Sequence, residues 1–485
     1  TMATTAQSVA ATEMENPKAL RQSYSFENVE FMAGEVAGLD TKAAAAIAET
    51  LAQLGGKKGA DAISGATELA DLVDAAGPRS MVECEVTSTL EKLLDARETA
   101  EPALWTVKTL CEKMGNKVEP FVVQLLSKII KLVADKKSAD IRSAAEGAGN
   151  AMIEIVCPHS VRVLLPTLKA GVEDTNWQVK MWALKFLGKL AERAPKPFSR
   201  ALFEVMPVVS AAMWDTKKDV KEAATATTLS AMNTCENRDI KPFIPSVIAA
   251  IQTPSEVPET LHKLSSTVFV QSVDNPALSI TVPILMRGCQ EKKIEVKRRV
   301  CTIVDNMCKL IDYAHEATTF LPELLPAVER LSNEMSDPEA RTVAARALKT
   351  LRNIQESAEA FEATKQMDAQ QVLAVLREVV AASVPGVKVE GAMTASLEYL
   401  AGMISGMISA MHFEEEEWKF VAVCPYLAPY MSQADAEAVC GAVLARCYKE
   451  CVPKDAAEDE EDEGEDLCNC EFSLGYGAKI LLNNT

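Results

Sequence analysis

Aromatic residues make up only 5% of this chain, and glycine supplies 21 and histidine four of its 485 residues. Strand-rich domains lean on aromatic and glycine-punctuated segments, so the scarcity of both points to helices. With four histidines, and a lone CxC pair at Cys468 and Cys470 that no second cluster completes, no metal site is expected. The 13 cysteines follow no even ladder of spacings. Many, such as Cys301 and Cys308, stand beside apolar residues in helical patterns and read as buried free thiols rather than disulfides. No apolar run reaches membrane-spanning length and no secretory pattern opens the chain, so a cytoplasmic location without a membrane partner is expected. Positive charge is also in deficit, with 50 Lys and Arg against 69 Asp and Glu, a net −19. That excludes a surface that is a nucleic-acid footprint throughout, and DNA as a partner. The phosphate-loop pattern G-x-x-x-x-G-K-[ST] is missing, and with it any expectation of catalysis or a nucleotide cofactor in these residues themselves.

What is present is periodicity. From Ser160 to Glu192 the chain spells two amphipathic helices joined by Glu173, Asp174, Thr175 and Asn176, acceptors suited to starting the second helix. Val179, Trp182, Ala183, Phe186, Leu187 and Leu190 share one face of that second helix. The unit recurs. A proline after an aliphatic residue or Met opens a similar segment at Pro166, Pro207, Pro245, Pro283 and Pro326, spaced by 41, 38, 38 and 43 residues. Independently, a cation follows a small or branched apolar residue at Arg142, Lys180, Lys221, Lys297 and Arg341, and Asp174, Asp215 and Glu291 each stand six residues before their cation. Helix pairs with a period near 40 residues predict a HEAT or armadillo-type solenoid.

The predicted fold class is all-α: a HEAT-repeat superhelical solenoid, then a four-helix bundle, then a short C-terminal β segment. Residues 1–40 form an N-terminal arm and 41–355 the repeats. The fourth unit breaks the pattern, since Pro254 and Pro258 flank its turn and Glu259 takes the cation's place, which predicts a stiff loop between its helices and altered stacking. Residues 356–453 carry four helical segments, Met367–Val380, Ala392–Met411, Trp418–Tyr430 and Ala434–Cys451, suited to an antiparallel bundle. Residues 454–466 hold nine carboxylates and one lysine and form an acidic linker. Residues 467–485 contain two short strand patterns around glycines.

Several stretches are more specific than a generic HEAT pattern. MWDTKKDVKEAATA at Met213–Ala226, PSEVPETLH at Pro254–His262, VDNMCKL at Val304–Leu310, ALKTLRN at Ala347–Asn353 and EDEGEDLCNCEFSLGYGAKILLNNT at Glu461–Thr485 resemble translation elongation factor 3, of the ATP-binding-cassette F class. The resemblance covers the chain from about residue 100 onward. It implies an N-terminal fragment of a ribosome-bound ATPase, whose last strands begin a nucleotide-binding domain. It further implies support of elongation through release of E-site tRNA and late translocation, contact with small-subunit ribosomal RNA and proteins, and a link to the factor that delivers aminoacyl-tRNA. ATP and Mg would serve the full-length parent, and a monomer is expected. The reading from another class is a protein-binding HEAT scaffold, such as a transport receptor or a phosphatase scaffold. Periodicity alone serves both; the quoted stretches favour the first.

Candidate site residues follow from charge. The in-register cations Lys180, Lys221, Lys297 and Arg341 either bind a partner or tie neighbouring repeats through paired charges. Two islands of surplus cations are more telling. Lys180, Lys185, Lys189, Arg193, Lys196 and Arg200 face Glu192 alone, and Arg287, Lys292, Lys293, Lys297, Arg298 and Arg299 face Glu291 and Glu295. In so acidic a chain these islands would attract an RNA backbone, whose counterions they release; the plainer reading is a solvated helix face balanced by a neighbouring repeat. Lys217 and Lys218 are offset by Asp215, Asp219 and Glu222. Tyr476 is placed like the aromatic that stacks on adenine in ATP-binding cassettes, or else it covers a small sheet. Glu414–Glu417 read as solvated loop charge.

Overall fold

In a computed structural model of the protein, residue 31 and residues 39–359, 366–384 and 387–452 are described in full, and residues 360, 474–476 and 479–482 by their backbone. The rest of the N-terminal arm, the acidic linker, Cys468 and Cys470 lie outside the described residues.

Successive helices pair along the chain: α1 (Thr41–Leu54) with α2 (Ala60–Ala76), α3 (Val86–Asp95) with α4 (Arg97–Met114), and α5 (Leu126–Leu132) with α6 (Ala139–Ile155). Then come α7 (Val161–Val172) with α8 (Trp177–Arg193), α9 (Leu202–Ala212) with α10 (Lys218–Asn233), and α11 (Ile244–Gln252) with α12 (Val257–Ser265). The series ends with α13 (Asn275–Gln290) and α14 (Ile294–Cys308), then α15 (Leu321–Glu334) and α16 (Pro338–Ala360). Neither helix of a pair could bury its apolar stripe alone, so the pairs stack into a solenoid with one continuous core. Val179, Ala183, Phe186, Leu187 and Leu190 are all buried in it, while Trp182 is half-buried at its edge. Each such Leu or Phe contributes about 1.5–3 kcal/mol by leaving water.

The turn chemistry is local and repetitive. Asn176 caps α8 by accepting from the Gln178 N–H, and Asp174 accepts from the Asn176 N–H. Asp135, Asp215 and Asp337 do the same for the turns before α6, α10 and α16. The marker prolines sit deeper than the sequence pattern implies. Pro166, Pro207 and Pro326 are each the sixth residue of their helix and Pro283 the ninth, while Pro245 is the second residue of α11. A helix-interior proline forgoes one backbone hydrogen bond and bends the helix there.

The fourth unit also differs from expectation. Pro254–Glu256 make one tight helical turn and Pro258 sits in the first turn of α12, where its missing N–H costs nothing. The disturbance falls on the stacking instead. Second helices pack side by side from α2 to α10 and again from α12 to α16, with α11 carrying the link between the two runs.

Beyond the solenoid, α17 (Ala369–Ser383) starts with a capping box of Asp368 and Gln371. It packs on α18 (Ala392–Ser409) and α20 (Gln433–Cys451). The intervening helix, α19 (415–427), is broken by a π turn at Trp418–Val423, with the Trp418 side chain fully buried. Helix α18 is apolar on most sides because it is enclosed: it touches α17 and α19, and also α7 and the turn Pro158–Ser160 of the solenoid. Two short strands, β1 (Leu474–Tyr476) and β2 (Lys479–Leu482), pair antiparallel, and Tyr476 is known there by its backbone only. Eleven cysteines fall among the described residues, none disulfide-bonded and nine of them buried, including Cys301 and Cys308.

Candidate nucleic-acid interface

Structure divides the two cation islands. In the first, Lys180 reaches forward to Asp215 of the next repeat at 3.1 Å, and Arg193 donates back to the Glu154 carbonyl at the end of α6. Lys185, Lys189, Lys196 and Arg200 are exposed and make no ion pair among the described residues. The Lys185 ammonium lies over the Trp182 ring, 4.2 Å from its centroid, an arrangement that holds a cation without neutralising it. Arg162 stands near Arg200, and burial together with that like charge lowers its pKa despite Glu204.

Half of the second island is spent within the chain. Arg298 pairs with Glu339 of the next repeat at 3.4 Å, Arg299 pairs with Glu295 one turn away, and Arg287 donates to the Ala250 and Ile251 carbonyls at the end of α11. Lys292 and Lys293 remain exposed in the turn before α14. Lys217 occupies the matching turn before α10 and Lys218 opens that helix, where it pairs loosely with Glu222 at 3.3 Å. Trp214, half exposed in the same turn, was not singled out by sequence reasoning. The candidate residues therefore fall into two groups: Lys217, Lys292 and Lys293 in the turns inside pairs with Lys218 opening α10, and Lys185, Lys189, Arg193, Lys196 and Arg200 on α8 and the segment after it.

Of the in-register cations, Lys180 ties neighbouring repeats, as Arg97 does with Asp135 at 2.9 Å. Arg142 and Arg341 instead donate to carbonyls of their own turns, Asp135 and Met335.

Two further constellations were hidden in the sequence because their members are hundreds of residues apart. At the joint between solenoid and bundle, Glu119 is wholly buried, with its carboxylate accepting from the Tyr399 and Tyr426 hydroxyls and from the Cys157 N–H. Burial pushes its carboxyl up to about 7, against those hydrogen bonds, which favour the ionised form. Beside it, two of the four histidines meet Glu417, which is thus no solvated loop charge: His159 Nε2 lies 3.0 Å and His412 Nε2 2.7 Å from the same Oε2. These hydrogen bonds hold the Glu417 carboxyl well below its usual range. A segment GluGluGluGlu gives no local sign that its last member turns inward; nothing short of the tertiary contact could have found it.

Taken together, a stack of helix pairs with inter-repeat charge ties, packed on a helical bundle and carrying cation clusters, defines a HEAT-repeat solenoid protein. The family described as "EF3 N-terminal HEAT repeat" matches residues 62–228, and "Elongation factor 3/GNC1 HEAT repeat" matches residues 255–362. Elongation factor 3 of Zygosaccharomyces rouxii is 39% identical over 82% of this chain and 38% of its own length. That of Phytophthora infestans is 36% identical over 79% of this chain and 37% of its own. The chain belongs to the elongation factor 3 family, and it spans somewhat over a third of the length of these relatives. A HEAT-like repeat protein from Thermococcus onnurineus is similar among solved structures, at 12% identity, covering 64% of this chain and 97% of its own, with a TM-score of 0.28. Among the described residues no single helix is long and apolar enough to cross a membrane.

Proposed function

We propose that this chain is the ribosome-docking region of a translation elongation factor, holding small-subunit ribosomal RNA and proteins through the cation-rich edge at the end of α8. The observation that carries the reading is the set Lys185, Lys189, Lys196 and Arg200, exposed and without ion pairs among the described residues in a chain of net charge −19. Such cations gain from phosphates by counterion release, whereas Arg298 and Arg299 already have partners. Lys292, Lys293 and Lys217 form a second, weaker contact line, where Trp214 offers a ring face for stacking. The region acts in the cytoplasm as a monomer and supports E-site tRNA release and late translocation, in concert with the factor that brings aminoacyl-tRNA. Catalysis is not assigned to these 485 residues, which hold no phosphate-loop sequence; ATP and Mg belong to the longer protein, with Tyr476 as its adenine-stacking residue.

Cosedimentation with purified ribosomes across a salt series tests this. Binding should weaken steeply with salt, and reversing Lys185, Lys189, Lys196 and Arg200 to Glu should abolish it at physiological salt, while R298E/R299E should leave it within about twofold. Salt-independent binding, or retention by the fourfold variant, overturns the reading in favour of a HEAT scaffold for proteins.

A further inference from the structure

His159 sits in the turn Pro158–Ser160 that feeds α7, and His412 lies in the turn after α18. Their rings stack with centroids 5.2 Å apart, and both Nε2 atoms aim at Glu417 Oε2. All three donor atoms lie within 4.8 Å of one another. Their backbones are fixed from several sides: the Trp418 indole N–H donates to the His412 carbonyl at 2.8 Å, Ser160 is buried beside His159, and the neighbouring Cys157 N–H is held by Glu119.

We propose that His159 Nε2, His412 Nε2 and Glu417 Oε2 form a binding site for a divalent transition-metal ion, zinc foremost, which clips the helical bundle to the solenoid. Two imidazoles and one carboxylate are the donor set that zinc takes, whereas calcium or magnesium would need oxygens in greater number. Bonds of about 2.0–2.1 Å at tetrahedral angles place donor atoms about 3.3 Å apart. The observed 3.0 and 2.7 Å would have to open by about 0.3 and 0.6 Å to admit the ion. His159 and His412 side chains are 9% and 16% exposed and Glu417 is 33% exposed, so the fourth position opens toward solvent on the carboxylate's side. Water or a partner's side chain would complete the tetrahedron there. One ligand comes from the solenoid and two from the bundle, so the ion would link what the backbone leaves 253 residues apart.

The full 485-residue chain, stripped with chelator and dialysed, is to be titrated with zinc in competition with a chromophoric chelator, then loaded with cobalt. One equivalent should bind, cobalt should give the visible bands of a tetrahedral nitrogen and oxygen site without thiolate charge transfer, and zinc should raise the unfolding midpoint. H159Q, H412Q and E417Q should each weaken binding about tenfold or more while keeping the helical circular dichroism of the parent. If a variant fails to fold, the cobalt spectrum of the parent still decides. No binding at micromolar zinc, thiolate charge-transfer bands, or undiminished affinity in a folded H159Q/H412Q chain overturns the proposal and leaves a hydrogen-bonded His–Glu–His cluster.

Discussion

The Tyr426 hydroxyl donates to Oε2 of Glu119 across 307 residues of sequence, and Tyr399 occupies the other carboxylate oxygen. A fully buried carboxylate is thereby made the fastening point between solenoid and bundle.

This fastening carries a pH dependence. The Glu119 carboxyl is pushed up to about 7 by burial, from an ordinary 4.5, so between these values the folded chain holds a proton that the unfolded chain releases. Its contribution to stability is complete below the unfolded value and is lost as pH rises through about 7. Urea unfolding should show a loss on the order of 2–3 kcal/mol from this group between pH 5 and pH 8. E119Q should remove that dependence, and an unchanged slope in E119Q would refute the account. E119A, by leaving two buried hydroxyls and the Cys157 N–H unpaired, should destabilise at every pH.

Asp215 does two jobs and Lys180 one. Asp215 accepts from the Lys217 N–H at 2.9 Å, which caps the turn before α10, and it pairs with Lys180 of the preceding repeat. The first of these contributes most to lowering its carboxyl pKa, with the Lys180 hydrogen bond and charge added. D215A should cost about 1–2 kcal/mol and K180A about 0.5 kcal/mol in thermal or urea unfolding. The Asp215 contribution, present at neutral pH, should fade as pH falls below the ordinary aspartate range.

Asp305 on α14 is buried and accepts from Lys309 at 2.9 Å, Arg346 at 2.7 Å and Thr350 at 2.7 Å, the last two on α16. Burial alone would raise its carboxyl, but the Lys309 and Thr350 hydrogen bonds and the charges of Lys309 and Arg346 leave it lowered. Because both cations are half exposed and can return to water, D305A should cost about 1–3 kcal/mol rather than the full penalty of an orphaned buried charge. A urea-denaturation loss under 0.5 kcal/mol would mean the network does not link these repeats.

Gly149 on α6 permits the close approach of α8, since a Cβ there would overlap the Phe186 ring. G149A should lower stability by about 1–2 kcal/mol, overpacking outweighing the helical gain of alanine. Gly441 on α20 has nothing within 4 Å of such a Cβ, so G441A should raise the melting temperature. The opposite signs separate packing from propensity.

Helices were legible wherever an apolar stripe kept its period over several turns. Ala434–Cys451, expected from pattern, matches α20 to within a residue at each end. The third bundle segment was expected as one helix, but the π turn at Trp418–Val423 breaks it, shifting the backbone pairing by one residue where the Trp418 indole is buried. Charge islands were visible as composition. Which cations stay available was not, since Arg298 reaches a residue 41 positions onward and Arg193 one 39 positions back.

By itself the sequence determined the helices, their pairing period and their capping turns, because all three depend on residues within about 40 positions of each other. Tertiary structure alone decided the joint. Glu119 with Tyr399 and Tyr426, and Glu417 with His159 and His412, meet because α18 folds back onto the helical turn at Glu119–Val122 and the turn Pro158–Ser160. These contacts join residues hundreds of positions apart, and no local residue pattern corresponds to them.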